Sequence, residues 1–118
     1  MSEPRRPIAA LIGEQLSAVS FVMDYVEFHF DGSIVRALSN PLVQLAGERR
    51  RFPESGSRDA MCALIANKVA AVSFKEKVSL EISFAGGASL LVPLDAASQV
   101  GPEAMHWCPR DGQMEVWQ

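Results

Sequence analysis

The sequence predicts an α+β domain that is mostly β. It has two internally duplicated halves, each a short helix plus three antiparallel strands, related by a pseudo-twofold and packed as a curved sheet or a small barrel-like sandwich. Three observations lead there. The stretch LIGEQLSAVSF at Leu11–Phe21 is written again as LIANKVAAVSF at Leu64–Phe74, with six of eleven positions identical at an offset of 53. Both copies run on into apolar residues that alternate with polar ones, the period of a strand with one buried face. Each then reaches a glycine-containing turn, Asp31-Gly32 in the first and Gly86-Gly87 in the second. Such dipeptides between apolar runs join hairpins, because glycine and aspartate accept the positive φ that tight turns require.

The elements follow in order. MSEPRRP, residues 1–7, is polar with two prolines and reads as a leader. Pro7 suits the first turn of a short helical segment, Pro7–Leu11, where its missing N–H costs nothing, and Gly13 ends it. From Leu16 the period changes to two, with Val19, Phe21 and Met23 expected inward. Val26, Phe28 and Phe30 face one way, while Glu27, His29 and Asp31 face the other. Ile34–Leu38 returns after the Asp31-Gly32 turn, and Leu42–Leu45 closes the first half, residues 8–46. Residues 47–57 form the expected connecting loop, because GERRRFPESGSR carries four arginines, two glycines and a proline. Ser57 is the expected N-cap of a helix over Arg58–Asn67, with Met61, Leu64 and Ile65 on one face. Strands over Val69–Lys75, Val78–Phe84 and Leu90–Leu94 complete the second half, residues 58–95, with Val72 and Phe74 inward. Residues 96–118 hold a loop and a last hairpin, Ala104–Cys108 with Gln113–Trp117.

Composition bounds the possible functions. With 118 residues the chain fits one domain, and it can bury a core without a disulfide or metal to staple it. Apolar content of 48% with 21% charge describes a folded protein. A net charge of −3 argues against general affinity for nucleic acid or anionic membranes. The start carries no cationic stretch followed by an apolar one, and no apolar run is long enough to span a bilayer, so the expected location is the cytoplasm. Cys62 and Cys108 are then expected as thiols.

The wording Leu11-Ile12-Gly13, then Val19 and Phe21, an alternating strand, a DG or GG turn and another strand resembles a class of small bacterial proteins known only as domains of unknown function. Gly101-Pro102-Glu103-Ala104 near the end belongs to the same likeness, which covers roughly Leu11 to Ala104. The resemblance implies structural elements only and transfers no catalytic residue. Small acidic bacterial proteins of similar size include immunity proteins that inhibit toxins, an analogy of size and charge.

Candidate sites are few. His106 and Cys108 share a strand face, and His29 and Cys62 could join them. Zinc, however, needs three or four ligands in tetrahedral reach, and no paired Cys or His spacing is present. Cys62 lacks the electropositive setting of a nucleophile apart from Arg58, four positions away. No phosphate-cradling loop, nucleophile elbow or paired catalytic carboxylates appear. No cofactor and no metal are expected, and the balance leans away from an enzyme. Arg49, Arg50, Arg51 and Arg58 could bind an anion or an acidic partner, although Phe52 alone accompanies them as a stacking aromatic. Met105, Trp107, Met114 and Trp117 are candidates for an interface, with core closure as the plainer alternative. Tyr25, His29, Arg36 and His106 are the polar groups expected at a seam between the halves.

The function expected from this is a non-catalytic protein-binding module, with an immunity-type inhibitor as one form and a homodimer as its assembly. The alternatives are a small-molecule site at the seam, or anion and nucleic-acid binding through Arg49–Arg51. No membrane partner is expected.

Overall fold

The computed structural model describes residues 7–110 and 114–118. Most of the expected leader lies outside these residues, and so does part of the turn of the last hairpin.

The chain begins with a 3-10 turn at Ile8–Leu11 and proceeds through β1 (Leu16–Val22), β2 (Tyr25–Phe30), β3 (Ser33–Ala37), β4 (Leu42–Leu45) and β5 (Glu48–Arg51). Helix α1 (Ser57–Cys62) follows, then β6 (Val69–Lys75), β7 (Ser79–Phe84) and β8 (Ser89–Pro93). A second 3-10 turn at Ala96–Ser98 leads to β9 (Met105–Cys108) and β10 (Glu115–Trp117). The fold is therefore mostly β with one short α-helix. All neighbouring strands are antiparallel, in two five-stranded sheets ordered β1-β2-β3-β9-β10 and β5-β4-β8-β7-β6.

That order is not simple succession. β1–β3 form a meander, but the next hairpin, β4–β5, pairs with β8 in the other sheet. β6–β8 form the second meander, and the hairpin after it, β9–β10, pairs with β3. Each sheet thus joins a three-stranded meander to a hairpin from a distant part of the chain.

The starts of β1 and β6 meet across a bridge between Gln15 and Lys68. Around it, Gly13 N–H donates to Val69 O at 2.8 Å and Ala66 N–H donates to Leu16 O at 2.7 Å. Leu16 N–H donates to Asn67 O at 3.0 Å, and Val69 N–H donates to Glu14 O at 2.8 Å. Gly13 and Ala66 both have positive φ, 90° and 80°. Both β1–β2 and β6–β7 shift register by one residue near their start, at Leu16/Ala18 and Val69/Ala71.

The inward faces of the two sheets share one core. Val26, Phe28 and Phe30 of β2, Val35 of β3 and Trp107 of β9 meet Val43, Leu80, Ile82, Leu90 and Val92 of the other sheet, all with no exposed surface. The alternation of β2 and β7 explains this directly, since every second residue is apolar and buried. Leu11, Met61 and Leu64 add to the same cluster. At one corner Phe21 of β1 stacks on Phe52 with centroids 6.1 Å apart, and Phe52 is itself buried. At another corner Phe74 of β6 meets Trp117 of β10 edge-on at 5.4 Å.

Several expectations are corrected. The stretch expected as a connecting loop at residues 47–57 contains β5, in register with β4 from Leu42↔Arg51 to Leu45↔Glu48. Its turn is Ala46-Gly47 with φ of 53° and 82°, the positive pair that a tight hairpin turn needs, and alanine there gave no warning of it. Residues 58–95 hold three strands as expected, while β5 adds a strand in the stretch expected as a loop. Helix α1 spans six residues rather than Arg58–Asn67, and its N-cap is Gly56, not Ser57. Ser57 lies inside the first turn, with its Oγ buried and unbonded among the described residues. Ile65, Phe74 and Met23 are exposed, at 38%, 37% and 94%. Met23 sits at φ 37° in the β1–β2 turn, past the end of its strand.

Candidate functional site

Strand alternation sends Ser20 of β1, Glu27 of β2, Arg36 of β3, His106 of β9 and Val116 of β10 to the outer face of the first sheet, the face turned from the core. The registers Ser20↔Glu27, Glu27↔Arg36, Arg36↔His106 and His106↔Val116 place them in one row across all five strands. Directly opposed residues on neighbouring strands are within side-chain reach, and this row is connected. Arg36 Nε donates to Glu27 Oε2 at 2.7 Å, and Arg36 Nη1 donates to His106 Nδ1 at 2.8 Å. His106 Nε2 lies 2.8 Å from Glu103 Oε1, and His29 Nε2 lies 3.2 Å from Glu27 Oε1 and 3.4 Å from Ser20 Oγ.

The donors fix the tautomers. A guanidinium can only donate, so His106 accepts at Nδ1 and its Nε2–H donates to Glu103. An ionised carboxylate can only accept, so His29 Nε2 carries the proton it gives to Glu27. That nitrogen then has no lone pair with which to take a proton from Ser20. A serine-activating histidine uses its two ring nitrogens for two partners, whereas here the serine and the carboxylate share one. In this arrangement His29 does not activate Ser20.

Electrostatics agree with that. Burial alone would raise the Glu27 pKa, but the hydrogen bond and charge of Arg36, aided by His29, outweigh it and hold the carboxyl below its usual 4.5. The Glu27 hydrogen bond likewise holds Arg36 firmly protonated against burial. Cys108, on the same face opposite Ile34, has its thiol pKa pushed up by burial, with Arg36 opposing and Glu27 adding. A raised pKa disfavours the thiolate, the reactive form.

Beside the row lies a cleft of about 240 Å³ lined by Asp24, Tyr25, Leu38, Val100, Gly101, Pro102 and Glu103. Glu103 belongs to both, since its carboxylate accepts from His106 and it lines the cleft. Ligand pockets for larger molecules run to roughly 300–1,000 Å³, so this one suits a small group.

Of the seam residues expected from sequence, His29, Arg36 and His106 fall into the connected row, and Tyr25 lines the cleft next to it. Arg36 and His106 face each other across the β3–β9 pairing, which joins strands distant in sequence. Glu27, Glu103 and Ser20 complete the set and are not among the residues expected there from sequence. The Glu27/His29 spacing of two places both on one strand face and could have flagged Glu27. Glu103 enters only through a turn before β9, which no periodicity announces.

The arginines do not converge. Arg49 and Arg51 pair with Gln44 and Leu42 on one face of β5, whereas Arg50 opposes Val43 on the other and binds Glu48. Arg51 also reaches Asn40 O at 3.5 Å, and Arg58 lies over the Phe21 and Phe52 rings at 5.8 and 5.0 Å. Phe52, expected as a stacking platform, is core. Met105 and Trp107, named as interface candidates, have no exposed surface and close the core instead, while Met114 is 51% exposed and Trp117 is half-buried. Cys62 is exposed, Cys108 is half-buried, and both are free thiols. Among the described residues no three His, Cys, Asp or Glu side chains gather as a metal site. No described helix is long and apolar enough to cross a membrane.

The second sheet supplies an internal comparison. The row matching Ser20–Glu27–Arg36–His106 is Ser73–Glu81–Leu91–Leu42, ending on Arg51 of β5. Serine and glutamate keep their places, but leucines stand where the arginine and histidine are. Compared with family models, curated proteins and solved structures, the chain has no match.

Proposed function

We propose that this chain is a non-catalytic binding protein that engages a partner protein through the outer face of its first sheet, around Glu27, Arg36 and His106. The observation that carries the reading is the difference between the two sheet faces. Leucine fills the two central positions of the second face, so the architecture does not require an arginine and a histidine there. Polar side chains held by charge-assisted hydrogen bonds in a half-buried row give orientation and partner discrimination more than stability. The breadth of the row, across five strands, matches a protein surface better than a small molecule.

The halves themselves read as two copies of one unit related by a pseudo-twofold. In support, each hydrogen bond around the Gln15–Lys68 bridge has a counterpart at the offset of 53, Gly13→Val69 with Ala66→Leu16 and Leu16→Asn67 with Val69→Glu14. On this reading one copy of the outer face diverged into the recognition surface.

The test is capture from a lysate of the producing cell by tagged protein, in three forms. These are the wild type, Arg36→Gln/His106→Gln, and Arg49→Ala/Arg50→Ala/Arg51→Ala. Glutamine keeps hydrogen-bonding capacity toward Glu27 and Glu103 while removing the charge and the ring, and a thermal melt confirms folding. A protein held near stoichiometry by the wild type and the arginine variant, but lost from the glutamine variant, is the expected result. Equal retention by the wild type and the glutamine variant sinks the proposal.

A second reading, a small ligand in the cleft, is favoured by the convergence of Asp24, Tyr25 and Glu103 on one small cavity. A thermal-shift screen in which hits vanish in Glu103→Gln would support it over the first.

A further inference from the structure

The outer face of the second sheet has a different character. Leu91 of β8 and Leu42 of β4 are directly opposed and half-buried at its centre. Glu81 of β7 flanks Leu91 on one side, and Arg51 of β5 flanks Leu42 on the other, both exposed. Read across the strands, the order is Glu81, Leu91, Leu42, Arg51. One row toward the β4–β5 turn lie Ser83, Ser89, Gln44 and Arg49.

This pattern is self-complementary. A twofold interface brings a surface patch against itself, and for face-to-face sheets the axis lies in the plane between them. Let that axis run along the boundary between β8 and β4. Rotation then sets β8 against β4 of the second copy, and β7 against β5. Leu91 meets Leu42, Ser89 meets Gln44, and Glu81 meets Arg51, each contact occurring twice. An apolar centre with charged groups at its rim is the usual anatomy of an interface. The same operation on the first sheet gives no such match, because Arg36 and His106 are already bound to Glu27 and Glu103 within the chain.

We infer that the outer face of the second sheet binds a second copy of this chain, forming a twofold dimer with a leucine centre and two intermolecular Glu81–Arg51 ion pairs. The inference is independent of the partner reading above. It leaves both first-sheet faces pointing outward, so the dimer presents two recognition surfaces.

The test is sedimentation velocity over a concentration series, on the wild type, Glu81→Arg, Arg51→Glu, the double variant Glu81→Arg/Arg51→Glu, and Leu91→Lys. All three substituted positions lie on the outer face of the second sheet, and circular dichroism checks that each variant is folded. The wild type is expected to pass from the 12.8 kDa monomer to a species of twice that mass. Each single charge reversal sets like charges together at two places, and it should weaken association by at least about tenfold. The double reversal restores opposite charges and should restore the dimer, and Leu91→Lys should abolish it. A wild type that stays monomeric at its solubility limit overturns the inference. So does a dimer indifferent to both single reversals, or a double variant no better than the singles.

Discussion

Glu27 carries the sheet face at the scale of single residues, because Arg36 and His29 both converge on its carboxylate, which is only 16% exposed. Its folded pKa lies below the unfolded value of 4.5, so between the two the unfolded chain binds more protons and stability rises with pH. The contribution is fully present above 4.5 and fades as pH falls through the lowered folded value. Urea denaturation from pH 6 to pH 3 should therefore show an acid limb that is shallower in Glu27→Gln than in the wild type. Removing the arginine instead, as Arg36→Leu, strands a half-buried carboxylate. The expected loss is about 1–3 kcal/mol at neutral pH, read from the denaturation midpoint. The two thiols separate on the same logic of burial. Cys62 is exposed, whereas Cys108 is half-buried with a raised pKa, so a colorimetric thiol reagent at pH 8 should titrate one site quickly and the other slowly. A single fast phase of two thiols would contradict this placement.

Turns decide how the elements were read from sequence. Asp31-Gly32 and Gly86-Gly87 announced their hairpins because glycine is the residue that accepts positive φ without steric cost. Ala46 and Ala66 hold positive φ as well, 53° and 80°, and alanine carries no such signal. The β4–β5 hairpin was therefore legible only as a charged loop, and the helix was extended past Cys62 through a segment that leaves helical geometry. Position 66 can be compared with Gly13, which makes the reciprocal hydrogen bond across the same bridge. Glycine there relieves a strained alanine, so Ala66→Gly should raise stability by about 0.5–1 kcal/mol, and Gly13→Ala should lower it by about 1 kcal/mol. Thermal melts of the pair check both signs. The strands themselves are readable because β2 and β7 alternate strictly, and the same alternation puts His29 on the face of Glu27. What alternation cannot say is which strand lies beside which. Arg36 and His106 are separated by most of the chain, and only the β3–β9 pairing makes them neighbours.

The whole molecule rests on that exchange of hairpins. Trp107 reaches the core only because β9 joins the first sheet, and it is buried completely against residues of both sheets. Trp107→Ala should cost about 3–5 kcal/mol, a large part of the total for a domain of this size, and the thermal midpoint should fall accordingly. The exchange also constrains how the chain is made. During synthesis β1–β5 emerge first, yet β4 waits for β8, and the far side of β3 waits for β9. Until β8 leaves the ribosome, one side of β4 has no partner and the apolar face of β1–β3 has no second sheet over it; the far edge of β3 stays open until β9 follows. Pairings between residues this distant also close slowly. Open edges and uncovered apolar surface are what favour association between incomplete chains. A chain stopped before Met105 would keep the far edge of β3 open and would lack Trp107 in its core.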